Sequence, residues 1–259
     1  MTNITWDVSP VIIRIFGIPI RWYGLLFAVS FILGYQIMAW IYARENKTSQ
    51  DMDQLLLYLL GGTVIGARLG HCFFYDPGYY LENPLKILAV WEGGLASHGG
   101  GIGILISLFL YRVKTQESYL WLLDRVCIPV SLAAFFIRTG NLFNSEIIGV
   151  PTSVPWAIIF QSVDPVPRHP VQVYEAMSCL LTFFILMLIY KKGKSKTWPG
   201  LLFGVFLILV FTARFFIEFF KTRQEAYSWD FWINTGQMLS LPFWLAGLVL
   251  VFMAFKKKD

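Results

Sequence analysis

The sequence predicts an all-α, polytopic membrane protein of seven transmembrane helices, and three observations predict it. Charged residues make up 14% of the chain against 56% hydrophobic, where an ordinary soluble domain carries ~25% charged residues. Apolar runs at residues 20–42, 52–74, 98–112, 120–137, 170–190, 201–220 and 236–255 alternate with polar connections, and ~20 apolar residues suffice for a crossing. Ten Trp and twelve Tyr fit aromatic belts at the two membrane interfaces.

In chain order, residues 1–19 form a mixed arm with Pro10 and Pro19, and Arg21-Trp22-Tyr23-Gly24 opens the first run with a charge and two aromatics. The second run carries Gly61, Gly62, Gly66 and Gly70, small residues suited to close helix packing, with Arg68 and His71 near its far end. A connection over 75–97 contains a candidate amphipathic helix around 85–91. The third run begins His98-Gly99-Gly100-Gly101-Ile102-Gly103. It is short, so its helix is expected to start a few residues earlier or to stand near vertical. Asp124 and Arg125 lie near the start of the fourth run. The longest connection, 138–169, holds Pro151, Pro155, Pro165 and Pro167. Gln172 and Glu175 open the fifth run, and Arg214 and Glu218 interrupt the sixth. The chain reads as one transmembrane domain over 1–259, with the arm 1–19 and the loops 75–97, 139–169 and 221–235 on one face.

Seven crossings put the termini on opposite sides. Arg44, Lys47, Arg112, Lys114, Lys191, Lys192, Lys194, Lys196, Lys256, Lys257 and Lys258 fall on one side, against Arg14, Lys86, Arg168, Lys221 and Arg223 on the other. Because basic loops stay in the cytoplasm, the amino terminus is expected outside and the carboxyl terminus inside. The first twenty residues lack a basic n-region, an unbroken apolar core and a cleavage box, so no cleavable signal peptide is expected. The net charge of +5 flanks apolar runs and builds no basic face, which argues against nucleic-acid binding. Cys72, Cys127 and Cys179 show no CxxC spacing and read as small buried hydrophobes.

With that topology the buried polar residues gather at one depth. Arg21, Arg68, His98, Arg138, Gln172, Glu175, Arg214 and Glu218 all sit toward the outer ends of their runs. An intramembrane arginine marks a functional site by default, because an uncompensated charge there is expensive. The segment Arg138-Thr139-Gly140-Asn141-Leu142-Phe143-Asn144-Ser145-Glu146 carries the densest such set, with Gly140 expected to turn the chain where the helix stops. Gln172 and Glu175, three apart, and Arg214 and Glu218, four apart, each share a helix face. The Arg214–Glu218 pair reads equally as mutual neutralisation. Arg21 and Arg68 read as interface anchors or lipid-phosphate contacts. Arginine forks hold phosphate through parallel hydrogen bonds, and the anion at this depth is a phospholipid head group. His98 is either a proton acceptor or only a hydrogen-bonding group, and its glycines either favour an anion or only permit tight packing. No His/Asp/Glu cluster has metal-ligand spacing, so neither metal nor cofactor is expected.

The segment 138–146 resembles the Arg-x-Gly-Asn-x-x-Asn-x-Glu signature of the prolipoprotein diacylglyceryl transferases, bacterial inner-membrane enzymes that begin lipoprotein maturation. Arg21-Trp22-Tyr23-Gly24-Leu25, Ser97-His98-Gly99-Gly100, His169-Pro170-x-Gln172-x-Tyr174-Glu175 and Arg214-x-x-x-Glu218 match further family motifs in order. The resemblance spans about residues 10–255. It implies transfer of a diacylglyceryl group from phosphatidylglycerol to the lipobox cysteine of a preprolipoprotein signal peptide, forming a thioether and releasing glycerol phosphate. It implies His98, Arg138 and Arg214 as catalytic residues. Tyr23, Arg138, Asn141, Asn144, Glu146, Gln172, Tyr174, Glu175 and Glu218 become substrate-binding residues, Glu146 and Glu218 by orienting the arginines. Where the family commonly has a tyrosine one turn before the second arginine, this chain has Val210. The competing class is a seven-helix transporter or receptor for an anionic solute or lipid, disfavoured by the lack of polar groups at mid-depth.

Overall fold

The computed structural model describes residues 4–90, 93–193, 198–222 and 234–256. Residue 91 of the expected 85–91 helix, and Lys194, Lys196, Arg223, Lys257 and Lys258, named above, lie outside the described residues, as does most of the expected loop 221–235. The chain divides into two compact units, one of Met1–Met38 with Asp124–Asp259 and one of Ala39–Leu123.

In the larger unit the arm is not helical. Strand β1 (Ile4–Trp6) pairs in parallel with β4 (Ile158–Phe160), which pairs antiparallel with β5 (Pro167–Arg168). Strands β2 (Val11–Ile15) and β3 (Ile18–Arg21) form a hairpin turned by Phe16 and Gly17, at φ 49° and 82°, the left-handed pair a two-residue hairpin turn needs. These strands correct the all-α expectation. Backbone groups outside the long helices still need partners, and β-branched segments of this length find them in ladders.

Helix α1 (Trp22–Arg44) follows β3 directly. Helix α5 (Tyr119–Phe143) is the most enclosed of the apolar helices, with half of its apolar window buried against 17–28% in the others. It does not stop at Arg138 or Gly140 as expected. Gly140 stays helical, and its missing side chain makes room for Tyr23: a Cβ there would meet Tyr23 Cδ2 at 2.7 Å. Helices α6 (Val171–Gly193), α7 (Leu201–Ile217) and α8 (Thr235–Lys256) complete the unit. A 3-10 turn over Glu218–Phe220 extends α7. Asp124, fully buried on α5, accepts from the amides of Gly200 (2.7 Å) and Phe203 (2.8 Å) and so caps the start of α7. Its neighbour Arg125 lies 3.9 Å away, over the Tyr190 ring.

The smaller unit is built on α2 (Ser49–Phe74) and α4 (Ser97–Thr115). Gly62, Gly66 and Gly70 face Gly99 and Gly103 so closely that a Cβ on Gly103 would lie 1.9 Å from the Gly62 carbonyl oxygen. The packing expected of the α2 glycines is what Gly62, Gly66 and Gly70 do, with Gly99 and Gly103 serving it too, whereas Gly61 faces open space. The 85–91 helix expectation is replaced by α3 (Pro77–Glu82) and a 3-10 turn over Pro84–Leu88. Arg68 is no lipid anchor. It is 3% exposed, donates to the carbonyls of Lys86, Ile87, Gly93 and Gly94, and lies over Tyr80. A guanidinium this enclosed is best satisfied by a ring of carbonyls, and here it fixes the connection to α4.

Among the described residues six helices are long and apolar enough to cross a membrane: α1, α2, α5, α6, α7 with its 3-10 extension, and α8. The seventh expected span, α4, is not among them, because its glycines, Ser97, His98, Arg112 and Lys114 dilute its apolar content. Cys72 and Cys127 are buried as expected, whereas Cys179 is half-buried.

Candidate active site

Three helix ends in the larger unit carry the site: the last turns of α5, the first turn of α6 and the end of α7. After α5 the chain turns through Ser145 and Ile147, at φ 53° and 55°, which brings residue 146 back toward the helix. The Glu146 carboxylate accepts from Asn141 Nδ2 (3.1 Å) and Asn144 Nδ2 (3.2 Å). Gln172, buried at the start of α6, donates to the Glu146 carbonyl at 2.6 Å. The following segment is held on both sides. The Gly149 amide donates to the His169 carbonyl, the Val150 amide to the Phe220 carbonyl and the Thr222 hydroxyl to the Ile148 carbonyl. A Cβ on Gly149 would lie 2.4 Å from the His169 carbonyl oxygen and 2.8 Å from that of Phe220, so only glycine fits. Phe143 stacks on Trp22 at 4.7 Å and meets Trp6 edge-on at 5.6 Å, joining the arm to the signature.

The charges form a chain. Arg138 Nε lies 3.1 Å from Glu175 Oε2, Lys221 Nζ lies 3.6 Å from Glu175 Oε1, and Lys221 Nζ lies 3.9 Å from Glu218 Oε2. The Tyr23 hydroxyl is within electrostatic reach of both Glu146 and Arg138. Among the described residues Arg214 makes no ion pair, and its buried Nε has no hydrogen-bond partner. Asn141 Oδ1, Asn144 Oδ1 and Gln172 Oε1 are also buried without a partner among those residues. Their amide groups are oriented by donation to Glu146, so the orphans are acceptors. Unpaired buried polar atoms are costly, and a cluster of them points to a ligand. A group at the three amide oxygens gathered about Glu146 must donate hydrogen bonds, and a group at Arg214 must accept them or carry negative charge.

In the first turn of α6 the Tyr174 hydroxyl accepts from Trp156 Nε1 at 2.7 Å and lies 3.1 Å from His169 Nδ1. Burial holds the His169 imidazole below its ordinary pKa. A neutral ring accepting at Nδ1 carries its proton on Nε2. Nearby, Arg168 binds Asp164 through Nε and a terminal nitrogen and donates to the Gly149 carbonyl at 3.1 Å. The hydrogen bonds from Arg168 hold the Asp164 carboxyl below the usual carboxylate range.

Residues 10–253 match the family described as prolipoprotein diacylglyceryl transferase. The chain is 50% identical over 254 residues to the phosphatidylglycerol–prolipoprotein diacylglyceryl transferase of Tolumonas auensis, covering 98% of both chains. It is 51% identical to the protein of that name from Chloroherpeton thalassium, covering 98% of this chain and 95% of the relative, and 46% identical to that from Porphyromonas gingivalis, with the same coverage. The chain belongs to the prolipoprotein diacylglyceryl transferase family.

As in the motifs of that family, Tyr23, Arg138, Asn141, Asn144, Glu146, Gln172, Tyr174, Glu175 and Glu218 all lie in the larger unit, as does Arg214. His98 lies in the smaller unit, exposed in the first turn of α4. Two pairings differ from expectation for this family member. Glu146 engages two asparagines rather than an arginine, and it is Glu175 that meets Arg138. Glu218 meets Lys221 rather than Arg214, although its own amide still donates to the Arg214 carbonyl and keeps it on the helical turn. Lys221 was read from sequence as a loop charge. Its signal was its spacing, seven residues after Arg214 and three after Glu218, which on a continuing helix is the same face.

Proposed function

We propose that this chain transfers the diacylglyceryl group of phosphatidylglycerol to the lipobox cysteine of preprolipoprotein signal peptides, as a multi-pass protein of the bacterial cytoplasmic (inner) membrane. The whole chain acts as one transmembrane domain. Helix α4 crosses as a seventh span, the amino terminus lies outside and the carboxyl terminus lies in the cytoplasm. The loops 75–97 and 139–169 then face outward.

The cysteine thiolate attacks a saturated glyceryl carbon. A carbon–sulfur bond forms, the carbon–oxygen bond to phosphate breaks, and glycerol phosphate leaves with one more negative charge than the phosphodiester carried. Catalysis therefore rests on cations that meet this growing charge. Arg138 and Arg214 are the proposed clamp, with Glu175 orienting Arg138. Asn141, Asn144 and Gln172 offer acceptors, which suits a head group with hydroxyls. Tyr23 and Tyr174 line the same region, and Glu146 holds the asparagines in place. His98 is the proposed acceptor of the thiol proton.

The observation that carries this reading is the pairing of an open buried donor on Arg214 with three open amide acceptors: a phosphate and a hydroxylated head group satisfy both. The test is incubation of purified protein with labelled phosphatidylglycerol and a lipobox peptide. Thioether product is expected from the native chain and none from Arg138→Ala or Arg138→Lys, since a point charge does not replace the fork. Binding without product would indicate a receptor instead, and near-native transfer by Arg138→Ala would remove the clamp.

A further inference from the structure

The charge chain across α5, α6 and α7 contains one cation that the proposed reaction does not use. Lys221 is largely enclosed, its side chain 13% exposed, between two carboxylates that are themselves 11% and 16% exposed. Glu218 is engaged from a second direction as well. Its carboxylate lies against Gly236, where a Cβ would come within 2.7 Å of Oε1, in the first turn of α8. The free amides of a helix start are a source of positive potential. Glu218 is therefore balanced by Lys221 and by α8, while Arg214, four residues before it, keeps an open buried Nε.

We infer that Lys221 is a positioning residue that withholds Glu218 from Arg214, so that Arg214 meets the lipid phosphate as an uncommitted cation. An arginine four residues from a carboxylate on a helical face ordinarily pairs with it. Such a pair would have to be broken before phosphate could bind. Lys221 prevents this by offering the carboxylate a different partner. The inference rests on the clamp reading of Arg214 given above.

The test is a double-mutant cycle in the transfer assay, varying phosphatidylglycerol. Lys221→Gln is expected to raise the KM for lipid on the order of tenfold, with a smaller change in kcat. Lys221→Arg is expected to stay near the native value. In a Glu218→Gln background the effect of Lys221→Gln is expected to vanish, because no carboxylate remains to capture Arg214. A native KM for Lys221→Gln, or the same fold-loss in both backgrounds, would overturn the inference, since a merely structural lysine gives additive losses. Where Lys221→Gln alone is not recovered folded, the double variant is compared with Glu218→Gln. Equal KM values support the inference, and a tenfold gap overturns it. Arg214→Ala separates the two levels. Native transfer by Arg214→Ala removes the clamp itself, whereas its loss alongside a native Lys221→Gln removes only the role of Lys221.

Discussion

His169 is set by its neighbours more than by its own chemistry. Trp156 donates to the Tyr174 oxygen, that hydroxyl lies 3.1 Å from His169 Nδ1, and burial lowers the ring's pKa. The folded-state pKa lies below the ordinary 6.5, so the unfolded chain takes up the proton first as pH falls. The contribution to stability is complete above the ordinary value and is lost on the way down to the lowered one. The thermal midpoint is expected to fall between about pH 7 and about pH 5, and the His169→Gln variant should show a shallower fall. An identical slope would show that His169 is not responsible. His98 is a different case, an exposed ring in the other unit. If it takes the thiol proton, His98→Gln collapses transfer and recovers it at high pH, as hydroxide replaces the base. If it only donates a hydrogen bond, the loss is modest and flat with pH. Most of these residues were legible because their spacing is a motif. Lys221 was not, because a lysine just past the end of an apolar run looks like a solvated loop charge until the 3-10 turn is seen.

At the scale of elements, the α2–α4 seam is where sequence and structure agree best. Repeated small residues on one helix announce a close neighbour, and the neighbour carries matching glycines. Gly103→Leu is expected to destabilise the protein by on the order of 3 kcal/mol, because its Cβ would fall 1.9 Å from the Gly62 carbonyl. Gly101→Leu, with nothing within 4 Å of its Cβ, should melt near the native temperature. Equal melting of the two would mean the seam is not tight in the folded protein. The end of α5 was misread for a related reason. Gly140 looked like a stop signal, but its missing side chain makes room for Tyr23, and the turn falls instead at Ser145 and Ile147, where the chain adopts left-handed conformations without glycine. The arm hairpin was hidden because its turn is Phe16-Gly17, and a phenylalanine at positive φ sends no turn signal.

At the scale of the whole molecule, the distribution of basic residues sets the expected orientation. A reporter fused after Asp259 should read as cytoplasmic, and an external reading would reverse every loop assignment proposed here. Among the described residues length and apolarity alone license six spans, and the proposed seventh depends on α4. For α4 to cross as proposed, it cannot depend on its own affinity for lipid, since polar residues at both ends and glycines between them make solitary partitioning unfavourable. What α4 has is a partner already made. The α2 glycines offer close-packed backbone in place of lipid tails. Biogenesis then acquires an order. During synthesis α2 must be waiting beside the insertion channel when α4 emerges, and the earlier helix serves as escort for the later one.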